Sequence, residues 1–195
     1  MKIIRFDALP DRVAASTPDK FFCDNCILMA DSAWRPDRRP MFLPAEGYWL
    51  CELRPAVKID RLGKSVSPKF ASRYYSEYTL VNYLVYEPDP ELNMSPAFML
   101  DDALIHGSWM PVDDNEHHLV AAGLSASHPE EVKEVDYTLN FQMLDRAIAA
   151  LSHDATFKTG DIIVLPRSLV SYIPRPDSKV DVTVDGRQIL NFKIK

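Results

Sequence analysis

The sequence predicts an α+β protein that is mostly β, and three observations carry that prediction. Fifteen prolines against six glycines point to many short elements joined by stiff turns, which favours strands over a helical bundle. Runs of β-branched and aromatic residues recur along the chain. The densest is 78–85, where Tyr78, Thr79, Val81, Tyr83 and Val85 gather. The clearest helical signal is 141–151, in which Phe141, Leu144, Ile148 and Leu151 recur at spacings of three, four and three.

Taken in order, residues 1–6 alternate loosely and read as an opening strand. Residues 7–20, with Pro10 and Pro18, read as an irregular connection. Residues 21–29 are apolar enough for a buried strand, and a polar, proline-flanked turn runs from Asp31 to near Pro40. Residues 49–83 then order as strand, tight turn, short helix and second strand. Ala56, Val57 and Ile59 are apolar around Lys58, and Gly63 supplies the turn. Ser67 and Pro68 read as N-cap and first residue of a helix whose face is Phe70, Ala71 and Tyr74.

Residues 87–91 hold two alternating prolines, which deny both helix and ladder. Short apolar pieces at 98–100 and 104–110 surround Asp101-Asp102, and 113–116 is a charged loop. Residues 117–124 read as a strand, 125–134 as polar connection and 135–139 as another strand. Asn140 caps the 141–151 helix. Gly160-Asp161 breaks before a strand at 162–165, and strands at 180–184 and 189–194 flank Asp185-Gly186, a strong hairpin turn signal.

At 195 residues with 47% hydrophobic content, the chain can bury a substantial core as a single domain spanning 1–195. A net charge of −6 gives no electrostatic case for nucleic acid or anionic membranes. No apolar run approaches a membrane span, and 1–6 is too short and too soon interrupted for a signal peptide. Three cysteines do not make a disulfide framework, so the expectation is reduced thiols in a cytoplasmic protein.

Several local constellations have the residue types of a site. Cys23-Asp24-Asn25-Cys26 is a lone Cys-x-x-Cys and reads as buried or incidental cysteines on a strand rather than a zinc or redox pair. His117 and His118 lie beside Glu116, but neighbours on a strand face opposite sides, so a solvated loop or strand start is expected. Asp101-Asp102 and Asp113-Asp114 read as turn residues, and Arg35, Arg38 and Arg39 as a solvated proline-rich loop.

Residues 49–83 also resemble the core of the fumarylacetoacetate hydrolase family, in which a strand bearing Glu-x-Glu-Leu leads into a turn ending Gly-Lys. A helix with a Tyr-rich end and a strand of the type Tyr-Thr-x-x-x-Asp follow there. Here Leu50-Cys51-Glu52-Leu53, Gly63-Lys64, Tyr74-Tyr75 and the 78–83 stretch stand in those places. The closing order of helix, Gly160-Asp161, apolar strand and hairpin is similar too. The resemblance implies a mixed β-sandwich roll with a few short helices, with a divergent segment at 1–40 and the family-like core at 41–195.

Family enzymes cleave or rearrange carbon–carbon bonds in 2,4-diketo acids with Mg²⁺, Mn²⁺ or Ca²⁺. Hard cations need several oxygen ligands, and the resemblance assigns them to a Glu-x-Glu pair and an Asp. The matching positions are Leu50, Glu52 and Tyr83, so two of three carboxylates are replaced. Phe98 stands where the family has its carbonyl-polarising Lys, while Asp101 is retained. Pro166-Arg167-Ser168 replaces the Gly-Thr-Pro turn, 85–92 lacks the usual Arg and Gln, and no histidine precedes His106 to serve as the family's general base.

The sequence therefore implies family-site positions Leu50, Glu52, Tyr83, Phe98 and Asp101, with no catalytic residue and only Glu52 and Asp101 as residual metal candidates. The expected protein is catalytically inactive and serves binding or assembly, with no cofactor. Its expected partner is a second copy or a related chain, alongside a possible small-molecule ligand. The alternative is a divergent enzyme with Mg²⁺ or Mn²⁺ that rebuilt its site from Glu52, Asp101, His106 or the His117-His118 region.

Overall fold

The structure, a computed structural model, describes residues 1–6, 20–44, 47–87, 100–124 and 131–195. Along the chain run β1 (Ile3–Phe6), α1 (Lys20–Asp24), β2 (Cys26–Met29), β3 (Trp34–Pro36) and β4 (Tyr48–Ile59). After them come α2 (Pro68–Ala71), β5 (Tyr75–Glu87), β6 (Leu104–His106), β7 (Met110–Pro111), β8 (His117–Ala122) and β9 (Val132–Tyr137). The chain closes with α3 (Phe141–Asp154), β10 (Ile162–Val164), β11 (Val170–Tyr172), β12 (Lys179–Val184) and β13 (Arg187–Lys193). The α+β, mostly β architecture expected from the sequence is present.

Among the described residues the strands form two sheets. Nine strands join in the order β2-β1-β10-β4-β5-β6-β3, with β11 also on β4 and β7 also on β5. The pairs β1–β10 and β3–β6 are parallel, so this sheet is mixed. The other four strands run β13-β12-β8-β9.

Alternation along β4 divides the core. Cys51, Leu53, Val57 and Ile59 face one side and pack with Leu144 and Ile148 of α3 and with Val180 and Val182 of β12. Ala56 faces the other side with Val81 and Tyr83 of β5, Leu104 of β6, and Ile162 and Val164 of β10. That second face carries Leu50, Glu52 and Arg54.

Pro55 would break an ordinary central strand because it has no N–H to donate. Here β11 pairs with β4 at Cys51, Glu52 and Leu53, and β10 at Ala56, Val57 and Lys58. Pro55 falls in the gap between them, and only its carbonyl is used, by the Leu165 amide at 2.8 Å. The missing donor costs nothing at that position.

The closing hairpin follows its sequence signal. Asp185 at φ 50° and Gly186 at φ 75° place both turn residues in the left-handed region, as a type I′ turn requires. Asn140 caps α3, its side chain accepting from the Met143 amide at 3.0 Å.

Other expectations are corrected. Residues 21–29 are not one strand: Lys20–Asp24 is helical and the strand begins at Cys26. The apolar run serves a helix because Phe22 buries edge-on against Phe6, ring centroids 6.3 Å apart. The strand expected at 135–139 lies at Val132–Tyr137, since β9 extends as far as β8 offers partners, from Ala122 to His117.

Gly63 is needed for close approach rather than for a positive φ: a Cβ there would sit 2.4 Å from the Tyr74 ring. Ser67 precedes α2 as expected, but its side chain makes no capping bond. Arg35 is buried in β3, not solvated: it donates to the carbonyls of Pro36, Arg39 and Pro40, and so ties down the loop that follows. β3, β7 and β11 had no counterpart in the sequence reading. Expectations for 7–19, 88–99 and 125–130, Phe98 among them, lie outside the described residues.

Candidate functional site

β4 and β5 pair in antiparallel register with Leu50 opposite Val85, Glu52 opposite Tyr83 and Arg54 opposite Val81. Directly opposed residues share a face. The folding pattern that buries Val81 and Tyr83 therefore also sets Glu52 and Tyr83 side by side. These are two of the positions that the family resemblance singled out.

Glu52 is committed to its neighbour two residues along the same strand. Arg54 donates from Nε to Oε2 of Glu52 at 2.7 Å, and its Nη2 lies 2.6 Å from the same oxygen as an ion pair. Its remaining nitrogen, Nη1, donates to the carbonyl of Phe6 on β1 at 3.2 Å. The Arg54 side chain is 9% exposed and that of Glu52 15%. The pair is thus shielded from water, where a charge-assisted hydrogen bond counts for most.

Tyr83 fills the space beside the pair. It is 1% exposed, and the guanidinium carbons of Arg5 and Arg54 lie 5.1 and 5.6 Å from its ring centroid. Cation–π contacts of this kind contribute about 1–2 kcal/mol when desolvated. Two guanidinium groups therefore meet the Tyr83 ring, and one of them, Arg54, is paired with Glu52.

That donor set does not fit a hard divalent cation. Leu50 offers no oxygen, Tyr83 offers a neutral phenol in place of a carboxylate, and the Glu52 carboxylate already faces an arginine. Asp101 is exposed in the turn that leads into β6, and β5 lies between β6 and β4. Among the described residues no group of three or more His, Cys, Asp or Glu side chains is placed to hold a metal ion.

Leu50 lies elsewhere in character. It lines a concavity of about 350 Å³ with Leu124, Lys133, Ser171, Ile173 and Arg175, among others. The bottom of the pairing is polar and buried: Tyr172 donates to Asn82 Oδ1, and Asn82 Nδ2 lies 3.5 Å from Cys51 Sγ.

The histidines are distributed over both sheets. His106 shares the face of Glu52 but sits two strands away on β6, about 10 Å at the usual strand spacing. Its ring stacks on Trp34 at 4.7 Å, and Nδ1 lies 2.9 Å from the Gly107 carbonyl oxygen. Burial lowers its pKa, with the Gly107 contact opposing.

His117 and His118 belong to the second sheet and point to opposite faces, as strand alternation requires. His117 is buried rather than solvated. Its Nδ1 is 2.7 Å from Asp185 Oδ2, and its ring lies between Tyr78 and Tyr137 at 5.6 and 5.4 Å. Nε2 is 3.2 Å from Asp113 Oδ1 without the alignment of a hydrogen bond. Bonding to His117 and to the His118 amide holds the Asp185 carboxyl below its ordinary range. His118 is exposed and pairs with Asp136 at 2.7 Å. The fold does not bring this group to Glu52.

Sequence reasoning passed over Arg5 and Arg54. The Arg54 signal was present, since Glu-x-Arg on a strand puts opposite charges on one face. Arg5 had no local signal, because only the parallel pairing of β1 with β10 brings it to the same face.

Comparison with solved structures places this architecture. The chain aligns over 99% of its length with 5-carboxymethyl-2-hydroxymuconate delta-isomerase from Mycobacterium smegmatis, covering 78% of that chain at 20% identity and TM-score 0.76. It aligns over 99% with maleylpyruvate hydrolase from Sphingobium sp. SYK-6 in complex with manganese(II) and pyruvate, covering 69% of that chain at 15% identity and TM-score 0.74. A protein from Yersinia pestis CO92 described as of the fumarylacetoacetate hydrolase family is matched over 100% of this chain and 93% of its own, at 15% identity and TM-score 0.73. No family model matches the sequence. No curated protein matches it either. The mixed sheet, its four-stranded companion and the long β4–β5 pair are thus the fumarylacetoacetate hydrolase fold, carried by a divergent sequence.

Proposed function

We propose that this chain is a non-catalytic protein of the fumarylacetoacetate hydrolase fold that serves binding or assembly. The observation that carries this reading is the Arg54–Glu52 pair. A guanidinium held at 2.6 and 2.7 Å from Oε2 places a fixed positive charge where a carboxylate would have to meet a metal ion. A divalent ion there would have to displace that guanidinium or bind against its repulsion. Catalysis through a metal-polarised oxygen needs such an ion, and Leu50 and Tyr83 supply no replacement ligand.

In this reading Glu52, with Arg54, holds β4 to β1, and no cofactor is required. The partner is a second copy of the chain or a related chain, and the concavity at Leu50 is the place for a small-molecule ligand. A cytoplasmic setting fits the thiol side chains of Cys23, Cys26 and Cys51. No helix among the described residues is long and apolar enough to cross a membrane.

The second reading is a divergent enzyme that hydrolyses or isomerises a 2,4-diketo acid with a divalent metal. What favours it is the likeness to solved isomerases and hydrolases, one of them holding manganese(II) and pyruvate. Metal analysis of untagged protein, paired with an acylpyruvate cleavage assay in added Mg²⁺ or Mn²⁺, separates the two. The non-catalytic reading expects neither stoichiometric metal nor turnover. Stoichiometric metal lost in Glu52→Ala, together with turnover, establishes the enzyme instead. Sedimentation and co-purification test the partner: a monomer that retains no related chain removes the assembly role.

A further inference from the structure

We propose that Cys23 and Cys26 are a reversible dithiol–disulfide pair, a redox-responsive corner between α1 and β2. It uses neither Glu52 nor Arg54, although Cys26 pairs with Phe6, whose carbonyl Arg54 meets. Cys23 lies in the last turn of α1 and Cys26 opens β2, so the two flank the turn at Asp24 and Asn25. The Cys26 thiol donates to the carbonyl oxygen of Cys23 at 3.3 Å. It is therefore already folded back onto the residue it would join, and rotation about the two Cα–Cβ bonds is the motion the disulfide needs.

Access separates this pair from the third cysteine. Cys23 and Cys26 are half-buried, whereas Cys51 is 0% exposed. Burial, with opposing hydrogen bonds from Asn82 and Tyr172, pushes the Cys51 thiol up to about 12. Cys51 is inert and serves as an internal reference.

Sγ of Cys23 lies 4.0 Å from Asp154 Oδ2 on α3, so the corner also touches the long helix. Exchange with an external disulfide proceeds through the thiolate of either cysteine.

The step balances with a low-molecular-weight disulfide as oxidant. One cysteine thiolate attacks a sulfur of oxidised glutathione, releases one glutathione thiol and forms a mixed disulfide. The second cysteine thiolate then displaces the other glutathione. Two protein S–H bonds and one external S–S bond become one protein S–S bond and two external thiols, and the protein gives up two electrons and two protons.

The test incubates the whole chain with oxidised and reduced glutathione in graded ratios, traps thiols by alkylation and reads intact and peptide mass. The expected result is a species lighter by two hydrogens, with Cys23 and Cys26 protected together, Cys51 alkylated only after denaturation, and full reversal by dithiothreitol. Cys23→Ser and Cys26→Ser should each accumulate a glutathione adduct absent from the native chain. A lasting adduct on the native chain, a disulfide between two chains, or alkylation of both thiols under every ratio would each overturn the proposal. The native-chain measurement decides it even where a variant fails to fold.

Discussion

Arg54 grips one oxygen of Glu52 with two of its nitrogens, Nε and Nη2, and spends the third on the Phe6 carbonyl. The contact joins positions two apart on β4 and ties that strand to β1, although β10 lies between them in the sheet.

Removing Arg54 alone should be costly. Arg54→Leu leaves the Glu52 carboxylate shielded and uncompensated, which destabilises by about 3–5 kcal/mol. Arg54→Leu with Glu52→Leu removes both charges and should recover most of that loss. Urea denaturation of the two single variants and the double variant checks it. Additive losses would show that the pair is not coupled.

Asp161 gives a pH-dependent counterpart. Burial favours its neutral form, but bonds from the Lys2 ammonium, the Lys2 amide and the Lys158 amide outweigh burial and lower its pKa. A lowered folded-state pKa stabilises fully above the unfolded value of about 3.9 and is lost as pH falls through the folded value. Stability should hold from neutrality down to about pH 4 and then fall. Asp161→Asn should flatten that acid limb and cost about 2–3 kcal/mol at pH 7. An unchanged acid limb would show that Asp161 does not set it.

Local signals carried much of the fold, and their failures share a cause. Asp185-Gly186, Asn140 and the 141–151 periodicity act within a few residues, so each was legible in the sequence. The strand at Val170–Tyr172 was not, because it exists by pairing with Cys51, Glu52 and Leu53, more than a hundred positions away. Pro55 is tolerated in a central strand because β10 and β11 leave a gap opposite it, and that gap is set by distant segments. Glu52 and Tyr83 were picked out through family resemblance, whereas their surroundings depend on Arg5, which reaches them through long-range pairing. The burial of Arg35 was equally hidden: its carbonyl partners at Pro36, Arg39 and Pro40 appear only once the loop is folded.

Two histidines should titrate on opposite sides of the ordinary value. The hydrogen bond to Asp136 raises His118, while burial lowers His106. The His118 contribution is complete below the unfolded value of about 6.5 and is lost as pH rises through the folded one. The His106 contribution is complete above that value and is lost as pH falls through its lower folded one. Histidine ring shifts in a two-dimensional NMR titration separate them, and Asp136→Asn should return His118 towards 6.5 while leaving His106 in place. Co-titration of the two would refute both assignments.

Gly107→Ala should loosen the joint between the two sheets. The Gly107 amide donates to Leu80 on β5 at 3.0 Å, and the next amide, Ser108, donates to Ile189 on β13 at 3.0 Å. A Cβ at 107 would lie 2.3 Å from the Ile189 carbonyl oxygen. That neighbour is backbone and cannot swing aside, so one sheet must shift against the other, at a cost of about 1–3 kcal/mol or more. Alanine also narrows the unfolded ensemble, which returns only about 0.4–1 kcal/mol. Gly160→Ala is the contrasting case. It has open space around its Cβ but a φ of +89°, so its penalty is conformational. Thermal unfolding should show both variants less stable than the native chain. Because β8 pairs with β12 in the four-stranded sheet, hydrogen exchange should rise along both of those strands and β13 in Gly107→Ala, and only near the 158–161 turn in Gly160→Ala.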